Sequence, residues 1–341
     1  MFQRELVIDE PGVMLGKKSQ SLVIKKNGEI LTEIPVMELK DVIILSNGVT
    51  ISSDLIQLLM EQGTQIHFLD YREMPYAIIY SPYLHGTVKT RREQFASLAD
   101  QRGVEIAKRL YDAKLKNQMI TIKYFLRSRK DEQVRLNLLK LIGEIEHRRQ
   151  LLQNLHGPRV DEIRQKLLNI EGLASQSYWK AVKILLQDKI SFPGREPWDP
   201  EDPVNMMLNF GYGIVSAKVM GAIVRAGLEP FAGFIHSDRA GKVSLRHDCI
   251  EEYRQALVDR VVIALLSRGF QPGVMQDEGG SNRLDEATRK TLREQIFRRL
   301  ESRERYKGKM YLWQTIIQLQ ARELATYFRE GKPYHCHIGR W

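Results

Sequence analysis

The strongest constraint on this chain is a change of period near Thr90. Before it, apolar residues fall in short runs broken by turn signals. In "SLVIKKNGEILTEI" the dipeptide Asn27-Gly28 stands between two β-prone runs. Both residues reach positive φ readily, which is what a two-residue hairpin needs. "DVIIL" (Asp41–Leu45) reads as a short buried strand and Asn47-Gly48 as a second turn. "SSDLIQLLMEQG" reads as a compact helix that Ser52 or Ser53 can cap and Gly63 can close. "TQIHFLD" and "YAIIY" return to strand. After "TRRE" (Thr90–Glu93), apolar residues recur at three- and four-residue spacing over 92–128, 131–155, 158–188, 203–227, 247–268, 284–303 and 310–329. "SFPGREPWDPEDP" and "PGVMQDEGGSNR" (Pro272–Arg283) read as loops between those helices. The pattern predicts an α+β multidomain protein. A small β-rich N-terminal domain (1–90) precedes a larger all-α domain (91–341).

The charge changes at the same place. Residues 1–90 hold eight Lys/Arg and eleven Asp/Glu, leaving 44 basic and 31 acidic residues in the remainder. All of the net +10 therefore arises after residue 90. A polyanion is the natural partner for such a surface, and nucleic acid is the commonest one in the cytoplasm. No run approaches about 18 consecutive apolar residues, so no membrane span is expected. "MFQRELVIDE" has no apolar signal core. The two cysteines, Cys249 and Cys336, are far apart and form no CxxC pair. A cytoplasmic protein is the expectation.

Chemistry concentrates in "GFIHSDRAGKVSLRHDCIEEYR" (Gly233–Arg254). The apolar helix "LNFGYGIVSAKVMGAIVRAGLEP" delivers the chain into a glycine-containing turn where His236 sits. The next helix carries Asp248, Glu251 and Glu252, three or four residues apart and so able to share a face. Divalent cations want hard oxygen ligands, and imidazole is compatible with manganese. One histidine and one or two carboxylates make a partial shell that needs a further ligand. Acids in a first helical turn equally well complement the helix dipole, with the histidine a structural hydrogen-bonded residue. Glu171, beside Gly172, Ala174 and Ser175, is a candidate for the missing ligand, and a solvent-facing helical glutamate is the alternative.

Three segments resemble the CRISPR-associated protein that integrates new spacers, the larger of the two adaptation proteins shared by most CRISPR systems. "IEGLASQSYW" is similar to that family's Glu-Gly-x-x-Ala-x-x-Tyr-aromatic helix. "LNFGYGIV" resembles its Leu-Asn-Tyr-Gly-Tyr helix start, with Phe210 in place of a frequent tyrosine. "AGLEPFAGFIHSDRAGKVSLRHDCIEEYR" resembles its Gly-Leu-Asp-Pro…Gly-Phe-x-His…Ser-Leu-x-x-Asp-Leu-x-Glu-aromatic-Arg run, with His247 and Cys249 as departures. "VTISSDLIQLLMEQGTQIHFLD" is similar to its N-terminal domain.

The resemblance implies a β-rich dimerisation domain, an α-helical catalytic domain and a homodimer. It implies Glu171, His236 and Glu251 as catalytic ligands of Mg²⁺ or Mn²⁺. Asp248 would be a supporting or alternative ligand, and His247 and Glu252 bystanders. The expected activity is CRISPR adaptation in antiviral defence. A DNA 3′-hydroxyl would attack a phosphodiester, and water in its place would give nuclease activity. The expected partners are duplex DNA with single-stranded ends, branched intermediates, and the family's small ferredoxin-like companion. Arg239 and Lys242 are placed to hold phosphates, and a solvated loop charge is the alternative for each.

Two further stretches have simpler expectations. Lys108, Arg109, Lys114 and Lys116 lie on a long helix and either track a DNA backbone or form a solvated face. The terminal His335-Cys336-His337 cluster is spaced too tightly for zinc and reads as a tail. Two rival functions fit parts of the pattern: a DNA-binding scaffold without catalysis, and a metallohydrolase acting on a small molecule. The complete Glu/His/Glu set opposes the first, and the basic second half opposes the second.

Overall fold

The computed structural model describes residues 4–70, 75–81, 88–198, 200–236, 241–276 and 280–339. Its contacts divide the chain into two units, residues 1–85 and 86–341.

The first unit is strand-rich. Strands β1 (Arg4–Ile8), β5 (Leu39–Ile44), β7 (Gln65–Leu69) and β8 (Pro75–Ile79) form one sheet in the order β1-β5-β7-β8. Strands β4 (Glu29–Pro35), β3 (Ser21–Lys26), β2 (Met14–Lys18) and β6 (Thr50–Ile51) form the other, in the order β4-β3-β2-β6. Asn27 and Gly28 both adopt positive φ, at 52° and 87°, and turn β3 into β4 as their residue types predict. Helix α1 (Ser53–Glu61) buries Leu55, Leu58 and Leu59 in a core shared with Val42, Ile44 and Ile66. The three- and four-residue spacing of those leucines makes one apolar stripe.

The second unit is mainly helical. Helices α2 (Val88–Ser97), α3 (Gln101–Leu126), α4 (Glu132–Gln153), α5 (Val160–Leu186), α6 (Pro203–Arg225), α7 (Ser244–Ile250), α8 (Arg260–Ser267), α9 (Glu286–Leu300) and α10 (Trp313–Glu330) follow in chain order. Caps set several of the starts. Asp131 and Asp202 accept the backbone N–H of Val134 and Asn205, and Pro203 occupies the first turn of α6. By length and composition alone helix α6 could cross a membrane, but 89% of its most apolar window is buried inside the protein, as in a core helix. It packs on α10, α9 and α7.

Several boundaries differ from expectation. The segment 92–128 is two helices, because Asp100 caps a new start by accepting from Arg102 N–H at 2.8 Å. The unit is not all-α. Strand β9 (Val274–Gln276) pairs with β10 (Asn282–Leu284) inside the expected loop 272–283, and β11 (Arg303–Tyr306) pairs with β12 (Lys309–Leu312). Lys307 and Gly308 turn that last hairpin at positive φ. Helical periodicity hid these strands because each is only three or four residues long.

The terminal cluster is not a free tail. Tyr334 and His337 are buried, and the His337 ring lies 4.9 Å from that of Trp313. Asn117 of α3 donates to His337 O and accepts from Gly339 N–H. The segment is a strap across α3, held because its backbone satisfies a buried amide.

Candidate metal and phosphodiester site

Four segments of the second unit meet at one place: the middle of α3, the middle of α5, the loop after α6, and α7 with its continuation. Glu171 projects from α5. Ser175, one turn on, donates to Glu171 Oε1 at 2.5 Å, and Gln118 of α3 donates to Ser175 Oγ at 3.1 Å. This pair fixes the carboxylate against α3.

The loop after α6 is pinned by one side chain. Asp248 is fully buried, and its oxygens accept the N–H of Phe234 (2.5 Å), Ile235 (2.9 Å) and His236 (3.1 Å). Asp248 Oδ1 is also 2.6 Å from His236 Nδ1. These bonds use its lone pairs, so Asp248 acts as the support that orients His236. Gly233 permits the approach. A Cβ there would lie 2.6 Å from Ser244 Cβ and 2.9 Å from Asp248 Oδ2.

Past α7 the helix tightens and then widens. Tyr253 N–H bonds Ile250 O at 2.9 Å, a three-residue step, and Gln255–Asp259 form a π-helical turn. Just before this turn Glu251 meets Lys114 through one oxygen and Arg254 through the other. Asp259 instead accepts the phenol O–H of Tyr178 (2.7 Å) and Tyr212 (2.5 Å). Tyr212 also carries the Arg254 guanidinium 4.7 Å from its ring centroid, and Arg254 Nη1 lies 2.8 Å from Glu251 Oε1.

Lys114 joins the two candidate ligands. Its Nζ is 2.7 Å from Glu171 Oε1 and 2.7 Å from Glu251 Oε2, so those oxygens are no farther apart than twice that distance. Burial pushes the Glu251 carboxyl up. Arg254 and Lys114 outweigh burial, hold it down at about 2, and keep it ionised. His236 is close enough to add to that effect. Burial lowers the Lys114 ammonium, but Glu171 and Glu251 raise it above its ordinary value. Among the described residues, no three His, Cys, Asp or Glu side chains are already gathered as a ligand set. The structure thus joins Glu171 and Glu251 through an ammonium and orients His236 within electrostatic reach of Glu251.

Other sequence candidates fall differently. His247, expected as a bystander, lies close to the candidate ligand: its ring centroid is 5.6 Å from that of His236. Burial, then Arg246 and His236, push its imidazole down to about 3, so it stays neutral. Glu252 is buried away from Lys114 and accepts Tyr334 O–H at 2.5 Å and His337 N–H at 2.9 Å. It holds the terminal strap. Lys242 lies close enough to act on His247, and Arg239 lies outside the described residues. The basic side chains of α3 are not a free track. Lys108 donates to the carbonyls of Gln153 and Leu155, Arg109 donates to Tyr334 O, and Lys116 pairs with Asp112.

Sequence reasoning missed Lys114, Arg254 and Asp259 as parts of the site. A signal for Lys114 exists: it follows Leu110 and Tyr111 and precedes Asn117 and Gln118 at helical spacing, on the buried stripe of α3.

The comparisons with known proteins cover nearly the whole chain. The profile of the family described as "CRISPR associated protein Cas1" matches residues 6–297. The "CRISPR-associated endonuclease Cas1 1" of Archaeoglobus fulgidus is 35% identical over 98% of this chain and 99% of its own length. The protein of the same name from Francisella tularensis subsp. novicida is 33% identical over 99% and 100%. The solved Cas1 structure from Thermotoga maritima superposes with a TM-score of 0.77 at 17% identity, covering 98% of this chain and all of that one. Its likeness shows the same fold, strand-rich at the start and helical after. On the profile match and the near-complete alignment with these relatives, the chain belongs to the Cas1 family of CRISPR-associated proteins.

Proposed function

We propose that this protein is a metal-dependent DNA integrase and endonuclease of CRISPR adaptation. The carrying observation is the meeting of Glu171 and Glu251 on one cation, 2.7 Å from each, with an imidazole aligned by Asp248 within electrostatic reach of Glu251. Two carboxylates that hold a buried ammonium can hold a Mg²⁺ or Mn²⁺ ion, since both ions prefer carboxylate oxygen and manganese tolerates imidazole. Glu171, His236 and Glu251 are the residues that would bind it. The ion, when bound, supplies Lewis acidity toward a DNA 3′-hydroxyl or water and offsets charge at phosphorus.

The chain's own residues do the positioning. Asp248 accepts the Nδ1–H of His236 and leaves the Nε2 lone pair for the ligand role. Arg254 fixes Glu251, and Ser175 fixes Glu171. A 3′-hydroxyl attacking a phosphodiester gives strand transfer, and water attacking the same group gives cleavage. The 44 basic residues after residue 90 favour a polyanionic partner. The proposed working state is a cytoplasmic homodimer with the small companion protein, on duplex DNA with single-stranded ends or on branched intermediates. Lys242 and Arg239 are proposed phosphate contacts.

The reading is tested by E171A and H236A. Both should abolish Mn²⁺-dependent strand transfer and cleavage while leaving DNA retention on a gel run without divalent metal unchanged. Strand transfer at the wild-type rate by both variants would remove the assignment.

A further inference from the structure

We propose that Lys114 is an internal counter-cation which the divalent ion must displace, so that metal binding here is an exchange. The inference rests on the reading of Glu171 and Glu251 as ligands.

The geometry requires a choice between the two cations. Lys114 Nζ stands 2.7 Å from one oxygen of each glutamate. A Mg²⁺ ion bound through these two oxygens would hold them at about 2.1 Å. The two positive centres would then share one small volume. With the ammonium between them, Glu171 and Glu251 are held at hydrogen-bonding distance and not at coordination distance.

Charge makes the exchange costly. Glu171 and Glu251 carry two negative charges, and Lys114 and Arg254 carry two positive ones. These four groups sum to zero and are largely sheltered from water, so a divalent ion entering among them adds two charges that they do not compensate; the neighbouring Asp248 carboxylate is engaged by the 234–236 amides and His236. Lys114 cannot withdraw to bulk water, because its side chain is 11% exposed and sits on the inward stripe of α3. Its ammonium is already 5.7 Å from the Tyr111 ring centroid. The displaced ammonium therefore stays near the ion, and the occupied site is net positive. A phosphodiester supplies the missing negative charge. Metal and DNA should each strengthen the binding of the other, and either alone should bind weakly.

The test is calorimetric titration with Mn²⁺ alone on the full chain, as wild type, K114M, K114Q and E171Q. Both neutral Lys114 variants should bind Mn²⁺ at least tenfold more tightly than wild type, and E171Q should lose binding. Folded Lys114 variants that bind no more tightly than wild type, while E171Q still loses binding, overturn the inference and leave the metal site standing. Absence of Mn²⁺ binding in all four proteins defeats the metal reading itself. Lys114 variants that unfold without metal should refold on adding Mn²⁺, followed by far-UV circular dichroism. Failure of the ion to restore the fold that the ammonium supported also overturns the exchange.

Discussion

The Nδ1 of His236 lies 2.6 Å from Oδ1 of Asp248, a carboxylate that also caps three consecutive backbone N–H groups. One buried side chain thus sets both the loop and the imidazole. D248N should leave donor facing donor at this point. It is expected to lower stability by about 2–4 kcal/mol, since buried amides lose their acceptor. Urea denaturation checks the stability. Strand-transfer kinetics should show kcat falling more than KM rises, because the effect passes through His236.

The loop needs glycine at position 233. In G233A the new Cβ would meet Ser244 Cβ at 2.6 Å and Asp248 Oδ2 at 2.9 Å. Relief requires the loop to lift from α7, so the variant should lose about 1–3 kcal/mol. Its amide exchange should rise at Phe234 and Ile235, whose N–H groups Asp248 caps. Unchanged protection there would show that the loop tolerates the methyl.

Glu252 predicts a stability change with pH. Burial raises its carboxyl to about 7, against opposing bonds from Tyr334 and His337. The folded state therefore holds a proton that the unfolded state releases near 4.5. This group's stabilisation is fully present below pH 4.5 and is lost as pH rises through about 7. The window is worth roughly 3 kcal/mol. E252Q should abolish that slope, read by urea melts at pH 5 and pH 8.

The terminal strap should be structural. A chain ending at Pro333 removes the buried Tyr334 ring and leaves Glu252 and Asn117 without their strap partners. It should lose about 4 kcal/mol and gain dye binding to newly exposed apolar surface. Y334F keeps the ring and drops only the hydroxyl, so it should lose about 1 kcal/mol.

Lys108 and Arg109 should contribute little to DNA affinity. Lys108 Nζ is held by two carbonyls, and Arg109 by Tyr334 O and Glu105. K108A and R109A should leave the slope of log affinity against log salt unchanged. A true phosphate contact would reduce it by about 1. Fluorescence anisotropy over a salt series reads the slope.

Much of the fold was legible without coordinates. The short apolar runs broken by turn signals before residue 90, and the helical spacing after it, follow from local geometry alone. The segments read as 131–155 and 203–227 start within a residue of the helices that Asp131 and Asp202 cap, because such starts are set by bonds made within a few residues. The short hairpins β9–β10 and β11–β12 were not legible, because strands this short pair by contacts that hydrophobic period does not encode. Nor was the split before α3, where a single aspartate outweighed an otherwise continuous apolar pattern.

The sequence by itself determined the division into a strand-rich and a helical region, the excess of positive charge in the second, and the residues Glu171, His236, Asp248 and Glu251 as a resemblance-based set. Only the tertiary structure decided how they relate. Asp248 supports because backbone donors use its oxygens, and Glu252 belongs to the strap because Tyr334 and His337 reach it. Lys114 stands between the glutamates because α3 crosses α5 and the turn after α7 at that level. The physical reason is range. Periodicity and capping act over a few residues, whereas Lys114, Glu171 and Glu251 are far apart in sequence, and their charges interact at 2.7 Å only after the helices have packed.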